Sequence, residues 1–490
     1  MVQVLIRPEL LYAWCGQSLL VTNVRGECGD DETLSGFYFR EARHLRTLRL
    51  ELNGQPPWLC EAATESPNAL AFNYVHPELT EFGGGGSGES QGDVTTDDHG
   101  IPHRALDLRL RYQLGVASLR ASLTITNRST REVGLELSWT LGADFADVQE
   151  AQGSGARQQD ADVATEPAGG TLRFSYRHPR LPYGTRVGAA GGETWSAEPD
   201  QISTRLTLGP QAVAELVLTV EPEDCEGSLS AEDVAERERV WRAWRDGLAR
   251  LETPGNLVAE EIIGRNVRDL ASFPLLEGER DEWLALQAGM PVYPALFGRD
   301  TLTAGWQAAF LDRGESLDAS LTRLGRMQSH RVHEWRDEEP GRIPYQVRRG
   351  PLARLEINPY AAYYADFASP LMFVISLAHL YSWTGEKRCL ERHWDTVRRI
   401  LDWAREYGDR DGDGYLEYLT KSPKGTKNQG WKDSGRAILY KDGTAVPSPI
   451  ATCELQGYWF AAQQLTAVMS WVMGERDTAK AYWRSATELK

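Results

Sequence analysis

A chain of 490 residues, 41% apolar and 25% charged, is long enough for about two or three separately folding domains and too apolar for wholesale disorder. Its net charge of −17 argues against nucleic acid or an anionic membrane as the main partner, because phosphate backbones are bound chiefly through clustered lysine and arginine. The six cysteines lie far apart with no C-x-x-C pair, which suggests neither a zinc site nor a redox pair, and a reducing, cytoplasmic setting is expected.

From Met1 to about Glu223 apolar residues alternate with period two, as in Leu108-Leu110-Tyr112-Leu114, Leu119-Ala121-Leu123-Ile125 and Leu135-Leu137-Trp139. That period predicts antiparallel strands with one wet face. Asn53-Gly54 and the cluster Asn127-Arg128-Ser129 supply turn chemistry, so residues 1–225 read as a β-sandwich, with the glycine-rich stretch from Gly83 to Asp93 as a surface loop. Arg7, Pro8 and Glu9 break the first apolar run, which argues against a secretory leader.

Residues 226–253 read as a helical connector, opened by Ser230 as N-cap with Asp233 at the capping-box position. Over 254–490 the period becomes 3.6, and helices are predicted over about 256–273, 300–314, 316–332, 369–384, 387–407, 452–473 and 475–489. The most apolar of them, Leu371 to Trp383, is interrupted by Ser376 and His379 and is too short to span a bilayer. Trp383, Trp403 and Trp471 are expected in the core. Long polar loops over 274–299, 333–368 and 408–451 alternate with short turns, so helical hairpins with their long loops on one side would build a toroid with a site at one end.

Three stretches carry the chemistry. In Phe297-Gly298-Arg299-Asp300-Thr301, before a helix, the adjacent Arg and Asp can grip vicinal hydroxyls, the cation donating and the carboxylate accepting. In Lys421 to Gly435, Asp433 stands among Trp431, Lys432 and Ser434. A tryptophan beside a carboxyl lowers the local dielectric and favours the protonated form, which a general acid working near neutral pH requires. Asp409 to Glu417 begins like a calcium loop, with Asp at positions 1, 3 and 5 and Gly at 6. Position 12 is Thr420 rather than a bidentate acid, so a tight turn presenting Glu417 and Tyr418 to the neighbouring loop is preferred. His330 and His333 would share a helical face, but no third ligand is evident, and neither metal nor cofactor is expected. Rings in or beside the long loops, among them Trp306, Trp335, Tyr345, Tyr360, Tyr363, Tyr364 and Tyr458, offer faces on which sugars stack.

FGRDT at 297–301, DGDGYLEY at 411–418, NQGWKDS at 428–434 and CELQGY at 453–458, in that order across a helical region, resemble the amylo-α-1,6-glucosidase (bacterial glycogen-debranching) family. FYFREARHLRTLRLELNG at 37–54 and LGADFADVQE at 141–150 look like that family's N-terminal β-domain. The resemblance implies an (α/α)6 barrel hydrolysing with inversion. It makes Asp433 the general acid and Arg299 with Asp300 the pair that holds the non-reducing glucose, while Trp431, Lys432, Glu454 and Gln456 are expected at the same pocket. Tyr364 and Asp366 fall where relatives place an Asp directly before an Ala-Ser/Thr-Pro turn. Here Phe367 intervenes, which leaves their place at the pocket open.

The base in such enzymes lies late in the barrel, near its eleventh helix. Only seven helices are read here, so the toroid is expected to be incomplete. The base would then come from outside this chain, and a missing C-terminal segment or self-association would cover faces such as Leu371 to Trp383. The implied function is an inverting, exo-acting α-glucosidase on glycogen-type α-1,6-linked glucose. The alternatives are a hydrolase of a small α-glucoside, trehalose-like or a glucosylated metabolite, and a non-catalytic α-glucan-binding protein.

Overall fold

A computed structural model describes residues 10–29, 34–79, 96–153, 155–158, 161–192 and 194–490. The expected loop Gly83–Asp93 lies outside them. Two compact units divide the chain: residues 1–238 with 268–272 and 290–292, and residues 239–267, 273–289 and 293–490.

The first unit is antiparallel sheet. Eight strands pair in the order Val163–Ala168, Thr171–Tyr176, Gly184–Ala190, Val213–Glu223, Ser118–Asn127, Leu106–Gly115, Ala69–His76 and Trp58–Ser66. The period-two pattern sets its register. Leu108, Leu110, Tyr112 and Leu114 lie opposite Ile125, Leu123, Ala121 and Leu119, and all eight are at most 2% exposed. Arg109 and Arg111, on the other face, pair with Glu65. A one-residue slip would exchange those faces, so burial alone fixes the register. A second sheet of four strands runs Trp195–Glu198, Gln201–Leu208, Val133–Gly142 and Thr47–Leu52, and buries Trp139. A third is the meander Leu10–Cys15, Ser18–Asn23, Gly36–Phe39 and Ala42–Leu45.

The helices that follow are α1 (Ala231–Asp246), α2 (Leu257–Leu270), α3 (Gly298–Asp312), α4 (Glu315–Arg326), α5 (Ala368–Thr384), α6 (Lys387–Trp403), α7 (Cys453–Met473) and α8 (Arg476–Leu489). Ser230 caps α1 as expected, its hydroxyl oxygen accepting from the Asp233 amide at 3.1 Å. Within the second unit, α3 packs on α4, α5 on α6 and α7 on α8, and α5 also touches α3, α4 and α7. Each hairpin turns on a glycine in the left-handed region, Gly314, Gly385 or Gly474, where a side chain would be strained. Because these turns are tight, the long connections all arrive at the N-terminal ends of α3, α5 and α7.

Three expectations change. The helix predicted over 316–332 stops at Arg326, so His330 and His333 share no helical face and both are exposed. The cause is tertiary: the Ser329 amide donates to Arg342 O, and its carbonyl accepts from the Gly341 amide, which draws the chain into the next loop. Leu371 to Leu380 is not uncovered, since neighbours on several sides bury all of it except His379. An uncovered apolar stretch lies instead on α7 and α8, where Val468, Trp471 and Trp483 are 47%, 58% and 53% exposed along a groove of 720 Å³. Trp403 is in the core, but Trp471, like Trp383 (56% exposed), is not.

Candidate functional site

Arg299 is the hub of the site. It sits in the first turn of α3, next to a glycine that the packing demands: a Cβ on Gly298 would lie 2.3 Å from Pro344 O and 2.5 Å from Ser369 Oγ. The Gly298 amide donates to Tyr345 O, and Phe297 pairs with Gln346, which ties the start of α3 to the 333–368 loop.

Buried polar groups build the loop that carries Asp433. Asp337, 2% exposed, accepts from the hydroxyls of Tyr363 and Thr420 and from the amides of Lys421 and Ser422. Such a carboxylate is stable because its oxygens are filled by donors. Asn428 and Gln429 are at most 1% exposed. Asn428 Nδ2 donates to Ser434 O, Gln429 Oε1 accepts from Arg342 Nη2, and Gln429 O accepts from the Phe367 amide. With these two residues held inside, the three that follow Gly430 turn outward.

Arg299, only 7% exposed, reads that loop directly. Its Nη1 donates to the carbonyls of Gly430 and Trp431, each at 3.0 Å, and its Nη2 donates to Asp433 Oδ2 at 2.7 Å. Its Nε lies 3.1 Å from Asp366 Oδ2 as an ion pair. The guanidinium also lies over the rings of Tyr345 and Trp431, at 5.4 and 5.6 Å. Asp433 Oδ2 accepts a second hydrogen bond, from the Tyr345 hydroxyl at 2.8 Å.

The expected residues therefore separate into two groups. Arg299, Asp300, Trp431 and Asp433 come together, with Glu454 beneath Gly430 in the first turn of α7. A cleft of 440 Å³ is lined by Ala288, Arg299, Asp300, Thr303, Ala304, Gln307 and Trp431. Asp300 is open to solvent, yet the concave surroundings push its carboxyl above the ordinary range, opposed by the neighbouring Arg299. Lys432 is exposed at the loop surface.

Asp366, Tyr364 and Gln456 do other work. Asp366 is 1% exposed and accepts from the amides of Ala368 and Ser369 and the Ser369 hydroxyl, so it caps α5 and braces Arg299 rather than facing a ligand. Tyr364 spends its hydroxyl on Met327 O. Gln456 pairs both ends of its amide with the backbone of Leu416. Trp431, 54% exposed, covers Arg299, and the groups that touch Asp433 are donors, so the apolar shielding expected from the tryptophan is not what surrounds the acid.

The turn at 409–417 keeps half of its expected form, since Tyr418 does face the neighbouring loop and Glu417 does not. Glu417 folds back to accept from the Arg410 amide, while Tyr418 reaches Asn428 Oδ1 at 3.3 Å. In the sequence Tyr345 is only one ring among many. Nothing in its spacing signals that its hydroxyl meets Asp433.

An antiparallel sheet domain followed by helical hairpins is the architecture of folds that set an N-terminal sandwich before an (α/α)6 barrel. Residues 15–219 match the family model for the N-terminal domain of (some) glycogen debranching enzymes. Among solved structures, "Putative kojibiose phosphorylase from human microbiome" matches over 97% of this chain and 67% of its own, with 8% identity and a TM-score of 0.57. A rhamnosidase from Klebsiella oxytoca matches over 66% of this chain and 62% of its own, with 12% identity and a TM-score of 0.34, too distant to carry an argument. No curated protein sequence matches the chain. Among the described residues, no helix is long and apolar enough to cross a membrane.

Proposed function

We propose that this protein acts on α-glucosides as an inverting, exo-acting glycoside hydrolase whose general acid is Asp433, with the end of a glycogen-type α-1,6-linked glucan as substrate. The observation that carries the reading is the convergence on Arg299: Asp433 from a distant loop is bonded to it, and Arg299 itself lines a cleft together with the adjacent carboxylate of Asp300 and the exposed Trp431. Asp300 suits a hydroxyl of a terminal glucose as acceptor, while Arg299, engaged by Gly430, Trp431, Asp433 and Asp366, holds the carboxylates of the site in place. Trp431 offers a ring face.

Asp433 protonates the leaving oxygen, and a second carboxylate activates water on the opposite face, about 6.5–9.5 Å away. Asp366 is not that base, because its oxygens are occupied and water does not reach it. At 440 Å³ the cleft is near the low end of the roughly 300–1,000 Å³ of small-ligand sites, which suits a chain end better than a chain interior.

The experiment is an NMR time course with α-1,6-glucosyl oligosaccharides of graded length and with trehalose. Release of β-glucose first, at rates that rise with chain length, supports the reading. Turnover confined to trehalose or another small glucoside moves the substrate to that class. Saturable binding of glucan without any cleavage turns the protein into a binding module.

A further inference from the structure

Two donors meet one oxygen of Asp433. Tyr345 O–H and Arg299 Nη2 both end on Oδ2, at 2.8 and 2.7 Å, and no donor is placed on Oδ1 by the same groups. An oxygen that already accepts two hydrogen bonds, one from a cation, is a poor seat for a proton.

We propose that Tyr345 is a positioning residue which, together with Arg299, keeps the transferable proton of Asp433 on Oδ1 and sets the pH range over which that proton is held. The inference rests on the reading of Asp433 as general acid. The geometry around Tyr345 supports a fixed donor: its ring is 9% exposed and stands edge-on to Phe297 and Tyr363, at centroid distances of 5.7 and 6.2 Å, so the hydroxyl has one direction to point. Burial and the neighbouring Asp433 carboxylate hold the phenol well above its usual range, so across working pH it donates and does not ionise.

Other charged groups lie on the elements around the Asp433 loop. Arg299 and Asp300 come from α3, and Asp366 acts through Arg299 from the turn before α5. Glu454 lies beneath Gly430 from α7, and Lys432 adjoins it in its own loop. All of these stay in place when only the phenolic oxygen is removed.

The test follows the Asp433 carboxyl carbon by 13C NMR in the full-length protein, the signal being assigned by its loss in Asp433→Asn. In Tyr345→Phe the titration midpoint should move up by about one pH unit, since a hydrogen bond to the charged form is lost. The high-pH limb of kcat/KM should move with it, because the acid then keeps its proton to higher pH. Difluorotyrosine at position 345, a stronger donor, should move the midpoint down, and it serves as the probe if Tyr345→Phe fails to fold.

A midpoint unmoved by either change overturns the role of Tyr345, and a purely structural tyrosine would alter melting temperature without moving it. Full glycoside hydrolysis by Asp433→Asn would instead overturn the acid reading, whatever the midpoint does.

Discussion

Two groups of carboxylates in the helical unit are held together by opposite means. Asp409, Asp411, Asp413 and Glu417 come from one short turn, with ligand atoms within 4.8 Å of one another, and the donors given to them are the turn's own amides: Gly412 and Gly414 on Asp409, Asp413 on Asp411, Tyr415 on Asp413 and Arg410 on Glu417. Asp366 and Asp433 come from separate stretches and are drawn onto the single cation of Arg299. Amide dipoles hold like charges together weakly, whereas a buried guanidinium makes each carboxylate depend on the other elements of the site. The first group is local and cheap to disturb. The second is where loss of one side chain should spread.

The comparison breaks most visibly at Asp366. Asp366→Ala leaves Arg299 buried with an unpaired Nε and an uncapped α5, and should cost about 3–5 kcal/mol, as removal of one partner from a buried ion pair does. Thermal or urea unfolding measures it, and a loss under about 1 kcal/mol would show that the hub is not under electrostatic control. Next comes Gly298→Ala, where the added methyl meets Pro344 O. A cost of about 1–3 kcal/mol is expected, with Arg299 displaced and glycoside binding weakened in step.

Trp431→Ala should leave stability within about 0.5 kcal/mol, because the ring is already half-exposed. It should weaken glucoside binding by about 1 kcal/mol through the lost stacking face, which calorimetry would read. Unchanged affinity would remove Trp431 from the site.

The smallest effect belongs to the 409–417 turn. Burial, then the three neighbouring aspartates, raise the Glu417 carboxyl above its ordinary value. A raised carboxyl binds its proton more tightly folded than unfolded, so the turn is penalised near neutral pH, and the penalty fades as pH falls through the raised value. Asp411→Asn should therefore stabilise by a few tenths of a kcal/mol at pH 7 and by less at pH 4, read from the melting temperature at both. Destabilisation at pH 7 would mean that Asp411 is needed by the turn rather than crowded in it.

The same contrast explains what was legible in the sequence. The strand pattern of Leu108 to Leu114 and the 3.6-residue period of the helices are local signals, and they locate the sheets and the hairpins. FGRDT and NQGWKDS could be found as stretches, but not the bond between Arg299 and Asp433, which depends on Asn428 and Gln429 being pulled inward by Tyr418, Ser434 and Arg342. Tyr345 was unreadable for the same reason, since its partner lies 88 residues away. Gln456 and Tyr364 carry residue types that suit sugars, yet their polar atoms are consumed by Leu416 and Met327, a fact no spacing encodes. The helical period runs past the end of α4, which stops because Ser329 pairs with residues 341 and 342, and that pairing outweighs the period.

Asp433 as the proton donor is the central claim, and the direct measurement compares Asp433→Asn with the unaltered protein on two substrates in parallel. One is an α-glucoside with an alkoxide leaving group, and the other is a glucosyl fluoride, whose leaving group needs no proton. A loss of about 10²–10⁴-fold on the glucoside and little loss on the fluoride is expected. A glucoside rate within about tenfold of the unaltered protein would contradict it.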